Sequence, residues 1–348
     1  MLMTKNIFIY VGPHRSGTAF MRRTVFPQMK GIYDVAQKHP KLIDNLLYIM
    51  NDNPLFVDLE QEKKKIEDWL DTIAEENIVI SDPEFFGSFE GKQNRDTYFS
   101  QSFSDHDLRA NILRSLFPNA RIILTPRRQD KWIESAYGTF IRGYHSLSFD
   151  DFVNPDNAQY GGKDNIFSSK PAVNLRSLDW SVYVHNYFKL FGRDRVLVLP
   201  NEMMRHDLEL FMERLCKFIG VPSFLPNLGA PQNRSNSQLS YRIARVCNRF
   251  VRTPGNRCGI IPDRPYLRYF LERRDKSLLF RGLAGISRRM SLSWFLREVV
   301  DKIQYKPAEF MDEQGRREIL SKFAEKNHEL ERAMGIDLEK YGYFDRPS

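Results

Sequence analysis

Ile7-Phe-Ile-Tyr-Val-Gly-Pro-His-Arg-Ser-Gly-Thr-Ala-Phe20 is the stretch that decides the fold of this chain. A short apolar, β-branched run breaks at a glycine-punctuated turn, and the turn opens a helix. Strand, loop and helix N-terminus together make an anion cradle, because unpaired backbone N–H groups and the helix dipole point at one place. Gly12 and Gly17 let the backbone come close to a ligand, and Ser16 and Thr18 add hydroxyl donors. The loop nearly fits the nucleoside-triphosphate pattern G-x-x-x-x-G-K-[ST], but Thr18 stands where that pattern needs lysine. Arg15 is the only Lys or Arg in the turn, so this is a phosphate loop with its positive charge moved.

Working outward, apolar runs at Asn6–Val11, Gly31–Val35, Asn77–Ile80, Ala120–Leu124 and Arg195–Leu199 read as strands. Helical periodicity fills the intervals at Thr18–Gln28, Leu42–Asn51, Gln61–Glu75, Asp107–Ser115, Asp130–Ile141 and Leu178–Phe191. That alternation predicts an α/β fold, a parallel sheet with helices on both faces. Ligands in such sheets sit at the carboxyl ends of the strands. The loop at Gly12, Ser81–Glu84 and Pro126–Arg128 should therefore converge. Residues 1–230 read as this core, and 231–348 as a basic, mainly helical elaboration packed on the same domain. Within it, Ser240–Val251 and Leu292–Lys302 are amphipathic, and Glu313–Met334 reads as a final charged helix ended by Gly335.

The chain has 348 residues, 42% of them apolar, which suits a folded protein of this size. No window holds about 18 uninterrupted apolar residues, so no membrane span is predicted. The N-terminus runs straight into the first strand, which predicts no signal peptide and a cytoplasmic location. Cys216, Cys247 and Cys258 have no metal-like spacing and read as reduced thiols. The seven histidines are scattered, so no metal site is expected. Charge is uneven. Between Arg234 and Arg297 stand fourteen Arg and one Lys against Asp263, Glu272 and Asp275, a net of +12, while the whole chain is +8. The remainder therefore sums to −4 (8 − 12). Such a segment predicts an anionic partner, either an acceptor or the surface of an anionic membrane, with no nucleic acid expected. Arg242, Arg245, Arg249 and Arg252 fall on one predicted helical stripe, with Ile243, Cys247, Phe250 and Val251 facing elsewhere.

The second anion-binding feature is Arg121-Ile-Ile-Leu-Thr-Pro-Arg-Arg-Gln-Asp-Lys-Trp-Ile-Glu-Ser-Ala-Tyr137. A strand delivers Arg127 and Arg128 at its carboxyl end. Arg127 can grip a phosphate through its planar fork, and Ser135, on the second turn of the next helix, can add a hydroxyl. Two anion sites at one sheet edge suit a ligand with two separated phosphate groups. With these residues the chain resembles the sulfotransferases that use 3′-phosphoadenosine 5′-phosphosulfate, PAPS, and looks like bacterial members of that family. Their 5′-phosphosulfate loop reads like Gly12-Pro-His-Arg-Ser-Gly-Thr18. Their 3′-phosphate motif is matched by Arg127 and Ser135, with Arg128-Gln129 replacing the commoner Asn-Pro. Similarity extends to Gly143–Phe152, Asp194–Glu202, Leu215–Val221, Asn233–Ser235 and Leu338–Tyr343, about two thirds of the chain.

The resemblance implies PAPS as co-substrate, no metal, and in-line transfer of a sulfuryl group to a hydroxyl. Gly12, Pro13, His14, Arg15, Ser16, Gly17, Thr18 and Ala19 would form the donor loop, with Arg15 stabilising charge on the sulfuryl side. A sulfuryl group carries less charge than a phosphoryl group, so the absence of an acid after the strand at Ala120 is consistent. A base must take the acceptor proton. Glu84 is the first candidate, with Asp82 beside it, and His39 and Lys38 occupy the region where other members hold a catalytic glutamate or lysine. The acceptor implied is an oligosaccharide or polysaccharide, with lipid-linked sugars next. Trp132 and Tyr137 are aromatic candidates near the nucleotide. Two alternatives are a phosphate-loop kinase or hydrolase, disfavoured by the missing lysine and acid, and a non-catalytic polyanion-binding module.

Overall fold

The apolar runs form five strands: β1 (Asn6–Tyr10), β2 (Ile32–Asp34), β3 (Asn77–Ser81), β4 (Arg121–Leu124) and β5 (Val196–Val198). In the computed structural model, which describes residues 5–87, 103, 105–143, 145–153, 173, 175–229, 235–252, 261–262, 296–303 and 305–345, they make one sheet. Its order is β2-β3-β1-β4-β5, with every neighbouring pair parallel. β1 lies in the centre, and Phe8, Ile9, Tyr10 and the following Val11 are fully buried. A strand covered on both faces reads as an unbroken apolar run, which is why this one does not alternate. The chain runs from β1 out to β2 and β3 on one side, then crosses to β4 and β5 on the other. The order therefore switches beside β1, and that switch point is where such sheets bind ligands.

The helices lie close to their expected places. After β1, α1 comprises a helical turn Thr18–Phe20, a π-helical stretch Met21–Val25 and a 3-10 turn Phe26–Gln28. Then follow α2 (Val35–Lys38), α3 (Pro40–Asn51), α4 (Leu59–Leu70), α5 (His106–Leu116) and α6 (Gln129–Arg142). The second half has α7 (Phe149–Val153), α8 (Trp180–Phe191), α9 (Met203–His206), α10 (Leu208–Ile219), α11 (Gln238–Asn248) and α12 (Glu313–Met334). The helix expected through Glu75 stops at Leu70, because the backbone N–H and hydroxyl of Thr72 both turn back onto Trp69 O. Aspartates start several of these helices. Asp34, Asp58 and Asp312 accept from first-turn N–H groups of α2, α4 and α12. Gly335 ends α12 in the left-handed conformation.

The C-terminal elements return to the core. α12 packs on α8 and α6, and Asn327 on it exchanges hydrogen bonds with Gln129 and binds Tyr343 O. α11 packs on α6, where Asn248 donates to Ile141 O and His145 O, each at 2.8 Å. Much of the basic segment, including Arg234 and the arginines between 257 and 289, lies outside the described residues, as does the start of the run expected at Leu292. Among the described residues no helix is long and apolar enough to cross a membrane.

Candidate functional site

The loop from Gly12 to Thr18 leaves the carboxyl end of β1 and is held from outside by its carbonyls. Trp132 Nε1 donates to His14 O at 2.7 Å and Arg127 Nη1 to Arg15 O at 2.6 Å. Thr125 Oγ1 donates to Ser16 O at 3.0 Å, and Ser16 Oγ turns back to Pro13 O. Four successive carbonyls are thus tied away from the loop's mouth. The N–H groups that open α1 at Gly17, Thr18 and Ala19 are of the kind a helix leaves without intrahelical partners. Two backbone positions carry the bend. Gly17 has φ 92, and a Cβ there would fall 2.6 Å from Asn201 Nδ2. Arg15, a non-glycine residue, is left-handed too at φ 69, a strained state usually stored at functional sites. A Cβ on Gly12 would lie 2.6 Å from Thr125 Oγ1. The two glycines therefore let the loop seat on Thr125 and Asn201 behind it.

The two anion motifs meet. Arg15 Nε donates to Ser135 Oγ at 2.9 Å across 120 residues of sequence. Arg127, from the end of β4, lies beneath the same loop. Burial pushes its guanidinium down to about 10, with Glu202 pulling the other way. Its Nε is buried with no hydrogen-bond partner, a donor without an acceptor. Arg15 is also lowered, by burial first and then by Arg142. Arg128, its sequence neighbour, spends its fork on both oxygens of the buried Asp130 and so serves the scaffold.

On the other side of the loop, His14 Nε2 stands 3.3 Å from Glu84 Oε1. Glu84 belongs to a 3-10 turn, Pro83–Phe86, that follows β3. Asp82 starts this turn by accepting from Glu84 N at 3.0 Å, and its other oxygen pairs with Arg22 Nη1 at 2.9 Å. Burial raises the Asp82 carboxyl above its usual range. Asp82 is thus spoken for by the backbone and Arg22, while the Glu84 side chain stays 39% exposed beside the loop. α5 supports the turn from behind: Arg109 Nη1 donates to Glu84 O at 2.9 Å, and His106 Nδ1 bonds Phe86 O at 2.6 Å. The remaining base candidates are placed elsewhere. Lys38 Nζ pairs at 2.6 Å with Glu75, which precedes β3 and so marks the amino edge of the sheet. His39 lies against Trp69, with ring centroids 5.2 Å apart.

The two aromatic candidates take other places, and further residues join them. Trp132 and Tyr137 are interior rather than open stacking platforms. Trp132 is fully buried and braces the loop, and Tyr137 donates to Leu147 O from among Phe149, Phe152 and Phe310. Trp180 Nε1 donates to Arg127 O at 2.7 Å. Glu202, after β5, accepts from Arg128 N and from Tyr343 OH at 2.9 Å, and burial raises its carboxyl. Both residues lie in segments that carry the resemblance, but nothing in the sequence paired Tyr343 with Glu202, 141 residues away.

A sequence model described as the Sulfotransferase family matches residues 6–225. Among solved structures, a sulfotransferase from Alicyclobacillus acidocaldarius is 18% identical, with a TM-score of 0.43 over 70% of this chain and 93% of that one. The sulfotransferase domain from the curacin biosynthetic pathway is 14% identical, with a TM-score of 0.36 over 88% of this chain and 100% of that one. The sulfotransferase domain from the Synechococcus PCC 7002 olefin synthase is 16% identical, with a TM-score of 0.31 over 92% of this chain and 94% of that one. A comparison with curated protein sequences found no match.

Proposed function

The chain belongs to the sulfotransferase family, and from that premise we propose that it moves a sulfuryl group from PAPS to a hydroxyl of a carbohydrate-type acceptor. The observation that carries the PAPS reading is the contact between the two anion motifs, Arg15 Nε to Ser135 Oγ and Arg127 Nη1 to Arg15 O. A donor with phosphates at both the 5′ and 3′ positions needs two cradles side by side, and the buried, partnerless Nε of Arg127 fits a 3′-phosphate oxygen. When bound, PAPS supplies a sulfuryl group on a good leaving group, so the protein has only to bind, orient and move a proton.

Gly17, Thr18 and Ala19 would receive the 5′-phosphate through backbone N–H groups and the Thr18 hydroxyl, while Ser16, expected to join them, turns both its N–H and its hydroxyl onto Pro13 O and shapes the loop. Arg127 and Ser135 would hold the 3′-phosphate. Arg15 lies between the two cradles, where a fixed cation stabilises charge building on the sulfuryl oxygens and the leaving phosphate oxygen. Glu84 is the carboxylate at the loop's mouth and would accept the proton of the attacking hydroxyl. The acceptor's carbohydrate character rests on the family resemblance.

Calorimetry with 3′,5′-bisphosphoadenosine and with adenosine 5′-monophosphate tests the reading. The bisphosphate should bind more tightly, and Arg127→Ala should cost it about 2–4 kcal/mol while hardly changing the monophosphate. Equal affinity for both nucleotides in the parent would overturn it.

A further inference from the structure

We propose that the outer face of α11 docks the protein onto an anionic lipid surface. The basic stripe expected there is rearranged. The inner face is Ser237, Tyr241, Ala244 and Asn248, all buried, and Arg245 is turned half inward against the Tyr137 hydroxyl. What faces out is Leu239, Arg242, Val246, Arg249 and Phe250. Leu239, Val246 and Phe250 are 42%, 54% and 51% exposed. Arginines and large apolar side chains thus share one side of α11 and of the turn that ends it, and α11 carries no acidic residue.

That mixture selects among anionic partners. A soluble polyanion gains from the guanidinium groups but nothing from Val246 and Phe250. A second copy of this chain would bring the same positive face against itself, at a repulsive cost. A bilayer with anionic headgroups uses both features, charge at the phosphate level and apolar side chains just below it. The charge is there to draw it: +12 between Arg234 and Arg297, in a chain of +8. The face is also held rigidly. Ser237 N and Ser240 Oγ bind Asp301 at 2.9 and 2.6 Å, and Asn248 ties the far end of α11 to Ile141 and His145. The inner face abuts the nucleotide-side cluster, since Tyr241 acts electrostatically on Arg15 and its hydroxyl fills the space beside Gly138. Docking would bring that cluster close to the lipid surface.

Sedimentation of the full chain with vesicles tests this, comparing phosphatidylcholine alone with phosphatidylcholine mixed with phosphatidylglycerol. Binding should need the anionic lipid and weaken as salt rises. Reversing Arg242→Glu with Arg249→Glu should lower it roughly tenfold or more, since each basic side chain near such a surface is worth about fivefold. Val246→Ser with Phe250→Ser should lower it several-fold without altering the salt dependence. All variants should keep the parent's affinity for 3′,5′-bisphosphoadenosine, which separates loss of docking from loss of fold. The proposal is overturned if the full chain ignores anionic vesicles, or if the serine pair binds them like the parent. Capture by immobilised heparin with no vesicle binding would assign the face to a soluble polyanion instead. None of these readouts depends on sulfuryl transfer.

Discussion

Toward β4, the phosphate loop is tied to the rest of the protein by Trp132, Arg127, Thr125 and the Arg15–Ser135 bond. Toward β3, the loop meets the rest of the protein through His14, which stands against a Glu84 that is partly open to solvent. The β4 flank is buried and made of donors that keep their protons across the physiological range: indoles, a threonine hydroxyl and guanidinium groups. The β3 flank hangs on a short 3-10 turn propped from behind by Arg109 and a histidine. A nucleotide that every turnover must bind in one pose favours the first kind of construction. A group that must meet an acceptor and exchange a proton with it favours the second.

On that division, the largest effects come from removing the reactive group on each flank. Glu84→Gln should lower kcat by roughly 10²–10⁴-fold, the range for losing a positioned base, and leave the affinity for 3′,5′-bisphosphoadenosine unchanged. A variant with near-parental kcat would remove the base from the β3 flank. Arg15→Ala should lower kcat/KM by roughly 10²–10³-fold, and unlike the Glu84 variant it should also weaken bisphosphate binding, because Arg15 is bonded to Ser135. Steady-state kinetics beside calorimetry separate the two. A pure kcat loss in the Arg15 variant would place its whole contribution on the sulfuryl group.

How far the sequence led follows the same line. The strands and the loop were legible because strand period and glycine spacing are local signals, and the structure brings Arg127 and Ser135 from the end of β4 and from α6 against that loop. The order β2-β3-β1-β4-β5 was not legible, because crossover handedness limits how strands connect without fixing which become neighbours. What could not be read are contacts between distant segments: Trp132 on His14 across 118 residues, Tyr343 on Glu202 across 141. Arg245 shows a subtler limit. Helical period alone placed it with Arg242 and Arg249, but Tyr241, Ala244 and Asn248 set the buried face, and that rotates Arg245 inward toward Tyr137. The choice between Asp82 and Glu84 was likewise open in sequence. It depends on Arg22, a residue of α1, reaching across to Asp82.

A smaller effect should separate the flanks by pH. His106 is buried, and its Nδ1–Phe86 O bond leaves Nε2 enclosed without a partner. Burial lowers its folded value to about 4 from 6.5. The folded protein therefore binds fewer protons here than the unfolded chain, and stability is lost as pH falls from about 6.5 toward about 4. His145 works in the same direction, also to about 4 through burial. Asp82 and Glu202, raised by burial, work against it. His106→Phe should remove one such linkage. Between about pH 7 and about pH 5 its denaturation free energy should fall less than the parent's, by about 2 kcal/mol. Because His106 props the turn that carries Glu84, acid should reduce turnover before it reduces bisphosphate binding. Parallel pH slopes for parent and variant would take His106 out of that role.

The smallest expected effect is the most direct check on where the acceptor side lies. Lys38 was a base candidate by its place after β2, yet its ammonium sits on Glu75 at 2.6 Å and over the Tyr33 ring at 4.5 Å. Glu75 precedes β3, and Lys5, just before β1, reaches its carbonyl as well. Those contacts fix Lys38 at the amino edge of a parallel sheet whose carboxyl edge holds the loop, Glu84 and Arg127. An ion pair this exposed is worth about 0–1 kcal/mol, and a group at the far edge of the sheet has no route to the acceptor hydroxyl. Lys38→Ala should therefore leave kcat within about twofold of the parent and cost at most about 1 kcal/mol in stability. A loss on the scale expected for Glu84→Gln, in a variant that still binds 3′,5′-bisphosphoadenosine normally, would mean that α2 moves when substrate binds. The working acceptor side would then be the β2 end of the sheet, and the contact between His14 and Glu84 would describe only the resting arrangement.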